Sequence, residues 1–557
     1  MSNSIGFKNF RRFQNFPEIN LGDITILVGG NNAGKSTLVK AMLLMRDFLK
    51  SRIEGVDNNK DTRTIKKFAP RFSFDTEHVN VGDFYRAFCR QSPRNENTIS
   101  FTMTIDKFRF IVNVRGERKP GVIPEISMIA VSDEDRDITF NFDISKNQMT
   151  AHFGNDKGAF NNRIIKDGIS LQLKKEKLTV RLRELNKNLS NYKDFEKITA
   201  TKSEIERIQS ELRLIQFDLD KEEKGLPYDG YTLQVNGAGV VDLYFYNYLE
   251  AGKLIIPELI KGFERFADDG SYGDKRLNSS KEEEANKTFL RGKIKSIRII
   301  AEELENILNK QVIEYIYAHS VYQDSVYAKC ANSSDYTKRT IHEFYTSRIS
   351  QGDEEFSLIE DWLEEFEIGK SLKVIPFKGD NYSLVIFDKE NPEITSDKRK
   401  GYPGGIDLAD KGMGSIQIVV LLLRLATLIR KYKGQQLTIL LEEPEQNLHP
   451  ALQSKLAELI YQVNNKFGLR FIIETHSEYL VRHTQVLTAK QIYEEGVDVS
   501  KVNESLKVYF LSQERGIVDM LFLENAKFQD SFDEGFFDQA AREALTISRL
   551  ERLNKNK

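Results

Sequence analysis

Apolar positions along the chain follow several rhythms, and each predicts a different element. The run Ile24-Thr25-Ile26-Leu27-Val28 is continuous, as in a strand buried on both faces. Residues 29–37 (GGNNAGKST) interrupt it, and Leu38, Met42, Met45 and Leu49 then recur at helical spacing, predicting a helix over about 35–49. Residues 98–105 and 109–114 alternate like paired strands, with two more expected at 126–131 and 138–142. The stretch 5–16 starts with apolar and aromatic residues around Arg11 and Arg12, and the polar residues 51–66 read as a surface loop.

The rhythm changes at about residue 169. Leu171, Leu178, Leu185 and Tyr192 repeat every seven, with Leu182 and Leu189 between them. Ile205, Ile208, Leu212, Ile215 and Leu219 form a second run beyond the polar stretch 191–203. The reading is an antiparallel helical hairpin, a short coiled coil whose arms of roughly 20 residues reach about 30 Å. Two surface helices packed on the body are the other reading. Residues 226–400 read as mainly helical: 282–317 as one long amphipathic stretch, 356–366 as another carrying Trp362, with a β-hairpin at 373–377 and 382–387 and a loop at 388–405. Apolar strands return at 437–441 and 470–473, and 508–511 with 517–523 read as a hairpin around Arg515-Gly516. The run 416–429 is broken by Gln417, Arg424 and Thr427, which predicts a buried helix rather than a membrane span.

Length and charge narrow this little. The 557 residues suffice for two to four domains, and 81 basic against 83 acidic residues leave a net charge of −2. No global basic signature marks a nucleic-acid or membrane binder, although a local basic groove stays open. Arg11, Arg12 and Lys411 read first as solvated residues, with phosphate or DNA contact as the second reading. Cys89 and Cys330 are widely separated, as free thiols in a reducing compartment would be, and residues 1–10 lack the apolar core of a signal peptide. The expectation is a cytoplasmic protein without a membrane partner.

The chemistry lies at the strand ends. Residues 29–37 fit G-x-x-x-x-G-K-[ST] between strand and helix. In such a loop Asn31, Asn32, Ala33 and Gly34 cradle phosphate with backbone N–H groups, Lys35 reaches the β- and γ-phosphates, and Ser36, next to Thr37, holds Mg2+. The strand at 437–441 ends in two carboxylates. Glu442 is placed near the Mg2+, and Glu443 is placed to orient a water and take its proton. His476 ends a third apolar strand, in reach of a γ-phosphate. Finally, Asp410-Lys411-Gly412-Met413-Gly414-Ser415-Ile416-Gln417 opens the apolar helix with two glycines, a second anion-facing helix start that suggests a site completed across a dimer.

In this order, residues 5–11 (IGFKNFR), GGNNAGKST, DKGMGSIQ, EEPEQNLHP and ETHSEYL make the chain resemble the ABC-type ATPases of the SMC/RecF/OLD group. It looks most like the OLD-like (AAA_15-type) ATPases of prokaryotic anti-phage defence systems, and residues 533–538 (DEGFFD) resemble the tail of one of their subfamilies. The resemblance implies an α/β fold, an ABC/SMC-like P-loop ATPase head split by a helical insertion with a short antiparallel coiled-coil hairpin. Its halves are expected at 1–165 and 401–540, the hairpin at 166–225, the mainly helical insertion at 226–400 and a helical tail at 541–557. It implies ATP and Mg2+ as cofactors and a homodimer through the heads, open to higher assembly. Lys35, Ser36 and Thr37 would bind phosphate and metal, Glu443 would be the base and His476 the switch. Asn447, Leu448 and His449 would form the D-loop at the seam, while Lys411, Gly412, Gly414 and Ser415 would face the partner's γ-phosphate. Gln91 is the candidate Q-loop metal residue. The signature departs from LSGGQ, and Glu442 stands where transporters have Asp. After His476 only about 80 residues remain, without the Glu and Asp-x-Asp strand ends of a Toprim nuclease, so none is expected.

The function implied is an ATP-hydrolysing sensor or scaffold that controls a separate effector, a nuclease or toxin. A RecF-like ATPase binding DNA ends or gaps is the alternative. A further one is an ATP-bound platform with negligible turnover.

Overall fold

The computed structural model describes residues 3–53, 71–145, 148–153, 231–235, 250–268, 281–317, 327–328, 336–377, 381–388 and 405–555, with Thr201, Ile205 and Ile208. The proposed coiled-coil hairpin at 166–225, most of the 51–66 loop and Cys330 lie outside these residues.

An antiparallel sheet of eight strands comes first. It holds β1 (Asn3–Phe10), β2 (Phe13–Leu21), β4 (Thr98–Ile105), β5 (Phe108–Arg115), β6 (Glu125–Asp133), β7 (Ile138–Asp143), β8 (Gln148–Phe153) and β9 (Tyr231–Val235), in the order β2-β1-β4-β5-β6-β7-β8-β9. Alternation along these strands sends phenylalanines to one core, among them Phe7, Phe101, Phe110 and Phe140. That core also receives α1 (Lys35–Leu49), α2 (Phe84–Ala87), α3 (Ile255–Asp268) and α4 (Lys281–Lys310).

β3 (Ile24–Gly29) is buried at every position because it sits mid-sheet in a second layer of six strands. Its neighbours are β10 (Gln311–Ile316), β15 (Gln436–Glu442), β16 (Arg470–Thr475), β17 (Leu506–Ser512) and β18 (Gly516–Asp519), in the order β10-β15-β16-β3-β17-β18, all parallel except β18. One face, with Leu27, Leu440 and Ile472, shares the first core; the other, with Ile26, Ile439 and Phe471, shares a second.

The second core is closed by helices α5 (Tyr336–Ser347), α6 (Glu354–Glu365), α7 (Met413–Lys431), α8 (Pro450–Phe467), α9 (Glu478–Tyr493) and α10 (Val499–Ser505). A small sheet of β11 (Tyr327–Ala328), β12 (Ser371–Phe377), β13 (Asn381–Phe387) and β14 (Gly405–Asp407) packs beside them, β12 and β13 being the expected hairpin. α7 is long and apolar enough to cross a membrane, with mean hydropathy 1.7, yet most of it is buried in this core, as its sequence predicted. Residues 532–537 set Phe532 edge-on and Phe536 tilted against Phe510 of β17, and α11 (Gln539–Lys555) follows, exposed along the turns described.

One element corrects the sequence reading. The amphipathic stretch expected over 282–317 is a helix only to Lys310; residues 311–316 are strand β10 on the edge of the central sheet. Val312 and Ile316 face one core, Ile313 and Tyr315 the other, a period of two that the helical pattern before it hid. Glu314 breaks the apolar run, and its carboxylate is taken by Arg424 at 3.0 Å and by the Tyr432 hydroxyl at 2.7 Å.

Candidate active site

The loop between β3 and α1 is bent by its own residues. Asn32 has φ 60° and Gly34 φ 111°. A Cβ on Gly34 would lie 2.4 Å from the ring of Phe13 at the start of β2, so glycine is required there on both counts. Asn31 and Asn32 are exposed, while Ala33 and Gly34 are buried. α1 starts without a side-chain cap; Thr37 and Leu38 bond back to the Gly34 carbonyl. The remaining N–H groups of a helix start, with its dipole, favour an anion.

Lys35 is 3% exposed. Its ammonium donates to Gly29 O at 2.9 Å and Gly30 O at 3.4 Å, and meets His476 Nε2 at 2.9 Å. Burial lowers its pKa, opposed by Glu474, Glu443 and Glu445. Burial and then Lys35 also lower that of His476, against Glu443. A neutral imidazole accepting from Lys35 at Nε2 fits both shifts. Glu443 Oε1, 3.4 Å from the same nitrogen, is then a polar neighbour rather than an ion-pair partner.

Parallel strands bring the acids together. Glu442 ends β15 and pairs in register with Glu474 of β16, which in turn lies beside β3. The Tyr315 hydroxyl donates to Glu442 Oε2. Ser36 Oγ donates to Glu474 Oε1 at 2.7 Å. Burial, with Glu442 and Glu443 nearby, pushes the Glu474 carboxyl up to about 7, against the pull of Ser36 and Lys35. Glu443 sits at φ 41°, a left-handed conformation uncommon for a residue with a side chain. Its N–H donates to Glu474 O at 2.7 Å, and Gln446 donates to its Oε2. Glu445, also buried, accepts from Thr475 Oγ1 at 2.8 Å and from the His476 N–H at 2.7 Å, which fixes the backbone of the histidine.

The second helix start is less enclosed. Gly412 caps α7 without a side-chain bond, and nothing among the described residues lies within 4 Å of where its Cβ would be. A Cβ on Gly414 would meet Asn447 O at 2.6 Å, so the first turn of α7 rests on the 444–449 segment of its own chain. Gln417 joins the two as well, donating to Pro444 O at 3.2 Å and accepting from Asn447 Nδ2 at 3.3 Å. Ser415 is half-buried. Lys411 is turned away, its ammonium on Ile368 O at 2.9 Å. His449 caps α8, accepting from Ala451 N through Nδ1 ahead of Pro450.

Lys35, Ser36, Glu442, Glu443 and His476 are therefore gathered at one end of the parallel sheet. Gln91 is exposed in the loop before β4, its carbonyl accepting from Gln14, and makes no contact with Ser36 or Glu442. Sequence reasoning passed over Glu474, Glu445 and Tyr315. For Glu474 the signal was present, an acid at a strand end one residue from Thr475-His476; Tyr315 was hidden in the misread strand.

Mg2+ fits the donor set. Ser36 offers a hydroxyl, Glu442 and Glu474 are carboxylates, and Glu474 Oε2 is buried without a hydrogen-bond partner among the described residues. Among the described residues no three His, Cys, Asp or Glu side chains converge on a metal by themselves. A cation held partly by phosphate is in keeping with that, since Mg2+ commonly takes one or two carboxylates plus substrate phosphates.

A phosphate loop on the middle strand of a parallel sheet, with carboxylates at the neighbouring strand ends, defines a P-loop nucleotide-binding domain. The chain belongs to the AAA ATPase domain family (AAA_15), whose model matches residues 1–481. No curated protein matches it. Among solved structures it is similar to the Pyrococcus furiosus Smc head domain with an extended coiled coil, bound to the C-terminal domain of ScpA (11% identity, 99% of each chain covered, TM-score 0.29). A SmcHead bound to the C-winged helix domain of ScpA is also similar (11%, 93% of this chain and 97% of the other, TM-score 0.30). So is the Smc head domain with a coiled coil and joint from Pyrococcus yayanosii (12%, 94% and 98%, TM-score 0.30).

Proposed function

We propose that the chain binds ATP with Mg2+ at residues 31–37 and hydrolyses it, as an SMC/OLD-like head that dimerises around nucleotide. The observation that carries this reading is the convergence of Lys35, Ser36, Glu442, Glu443 and His476 from segments more than 400 residues apart. Lys35 and the N–H groups at the start of α1 hold the phosphates. Glu443 orients the attacking water and accepts its proton, and His476, fixed through Glu445, faces the same space. Bound Mg2+ would supply charge neutralisation between phosphate oxygens, held from Ser36 with Glu442 nearby.

The open start of α7 supports completion of the site by a second copy, with Gly412, Gly414 and Ser415 toward the partner's phosphate and Asn447 with His449 at the seam. The family motifs support a cytoplasmic sensor or scaffold of an anti-phage system that controls a separate effector protein. Two experiments test the reading. The first is ATP turnover, with light scattering in ATP and in ADP: an ATP-dependent doubling of mass is expected, and a monomer in both nucleotides removes the dimer. The second is phage challenge of cells carrying the gene with its neighbours. Unaltered plaque counts against a broad phage panel would remove the defence role.

A further inference from the structure

We propose that Glu474 is a carboxylate of the Mg2+ site, fixing the Ser36 hydroxyl and supplying negative charge to the cation, while Glu442 beside it is clamped by Tyr315. The proposal rests on reading the site as one for Mg-nucleotide.

Several observations lead there. The Ser36 hydroxyl, the side chain that a phosphate loop offers to metal, donates to Glu474 Oε1 at 2.7 Å. The other oxygen, Oε2, is buried and has no hydrogen-bond partner among the described residues, and the residue as a whole is 3% exposed. A carboxylate oxygen left bare in a protein interior is costly, and a cation or a water bound to one removes that cost. Glu442 differs. Its Oε2 already accepts from Tyr315, a hydroxyl on β10 that no water or metal needs to replace.

Register adds to the argument. Glu442 and Glu474 are opposite one another on parallel neighbours, so their side chains leave the sheet on the same face. Two adjacent acids repel unless a positive charge lies between or beside them. The charge of Glu474 bears on Lys35 and Lys40, raising the pKa of each against burial, and the charges of Glu443 and Glu445 act on Lys35 in the same sense. With phosphates added, that surplus of negative charge grows, and a divalent cation offsets it. Since Ser36 bonds Glu474, the cation belongs on the Glu474 side of the pair.

The test separates metal from nucleotide. A fluorescent ATP analogue is titrated in EDTA, and Mn2+, standing for Mg2+, is titrated by electron paramagnetic resonance into the protein saturated with ATP. Glu474→Gln is expected to keep the metal-free nucleotide affinity within about twofold and to weaken Mn2+ at least ~10-fold, as loss of a supporting carboxylate does. Tyr315→Phe is expected to weaken Mn2+ less. Unchanged Mn2+ affinity in Glu474→Gln overturns the proposal and leaves the nucleotide site standing. Absence of nucleotide binding by the wild type in both titrations overturns the site reading itself. Should the amide variant not fold, Glu474→Met fills the same volume without a polar atom and is read in the same way.

Discussion

The two helix starts α1 and α7 share an uncapped glycine beginning and differ in what encloses them. At α1 the chain supplies its own surroundings: Phe13 against Gly34, His476 against Lys35 and Glu474 against Ser36. At α7 Gly412 has no neighbour among the described residues where a Cβ would lie, and Gly414 rests on Asn447. One start is thus closed in by side chains of its own chain, while the other is open at Gly412 and braced by its own chain at Gly414. On the reading proposed above, the enclosed start serves binding within one copy and the open one meets a ligand held by a second copy.

The largest expected effect breaks the enclosed start. Lys35→Ala should abolish ATP binding in equilibrium titrations, and retained affinity would show that the cradle around α1 is not the phosphate site. Next, Glu443→Gln should lower turnover by at least about 10²-fold, in line with general-base contributions of about 10²–10⁴, and hold the ATP-bound dimer on a sizing column. Wild-type turnover would remove Glu443 from that role.

A smaller effect concerns pH and the nucleotide-free protein. Glu474 has a folded pKa of about 7, above its ordinary 4.5. Its protonated form is favoured in the fold, so the fold is penalised once the group ionises. Relative to wild type, Glu474→Gln should therefore raise stability above pH 7 by on the order of 1–3 kcal/mol. That gain should fade as pH falls from 7 to 4.5, and melting curves at pH 8 and pH 5 that shift equally would contradict it.

The smallest effect sharpens the contrast most. Gly414→Ala meets a backbone carbonyl and should cost about 1–3 kcal/mol. Gly412→Ala meets nothing among the described residues of its own chain and should leave the melting temperature unchanged while weakening ATP-driven dimerisation. If Gly412→Ala dimerises like wild type, the open start does not face a partner.

Much of this was legible beforehand for a physical reason. β3, β15 and β16 are buried on both faces, so their apolar runs are continuous, and each ends in chemistry-bearing residues that cannot be core. The phosphate loop reads directly because its glycines answer to backbone geometry rather than to distant contacts. β10 did not read, because it follows α4 without a turn and because Glu314, apparently a solvent residue, is matched by Arg424 more than 100 residues later. Glu474 was overlooked for a similar reason: its meaning depends on Ser36, which lies 438 residues away in the chain. Glu445 looked like one more acid of a turn until Thr475 and the His476 N–H were found bonded to it.

The order of strands has a consequence in time. β3 is made well before both of its neighbours, β16 and β17, which follow it by more than 400 residues. At about 5–20 residues per second, the phosphate loop waits from roughly half a minute to a minute and a half for the strands that flank it. The antiparallel sheet built from residues 3–153 has most of its partners at once and can form meanwhile. A nascent chain halted before residue 506 would carry the whole GGNNAGKST loop and still lack β17, one of the two strands that flank β3. The loop that carries Lys35 and Ser36 is therefore in place long before the strand ends that bring Glu442, Glu443 and His476 to it.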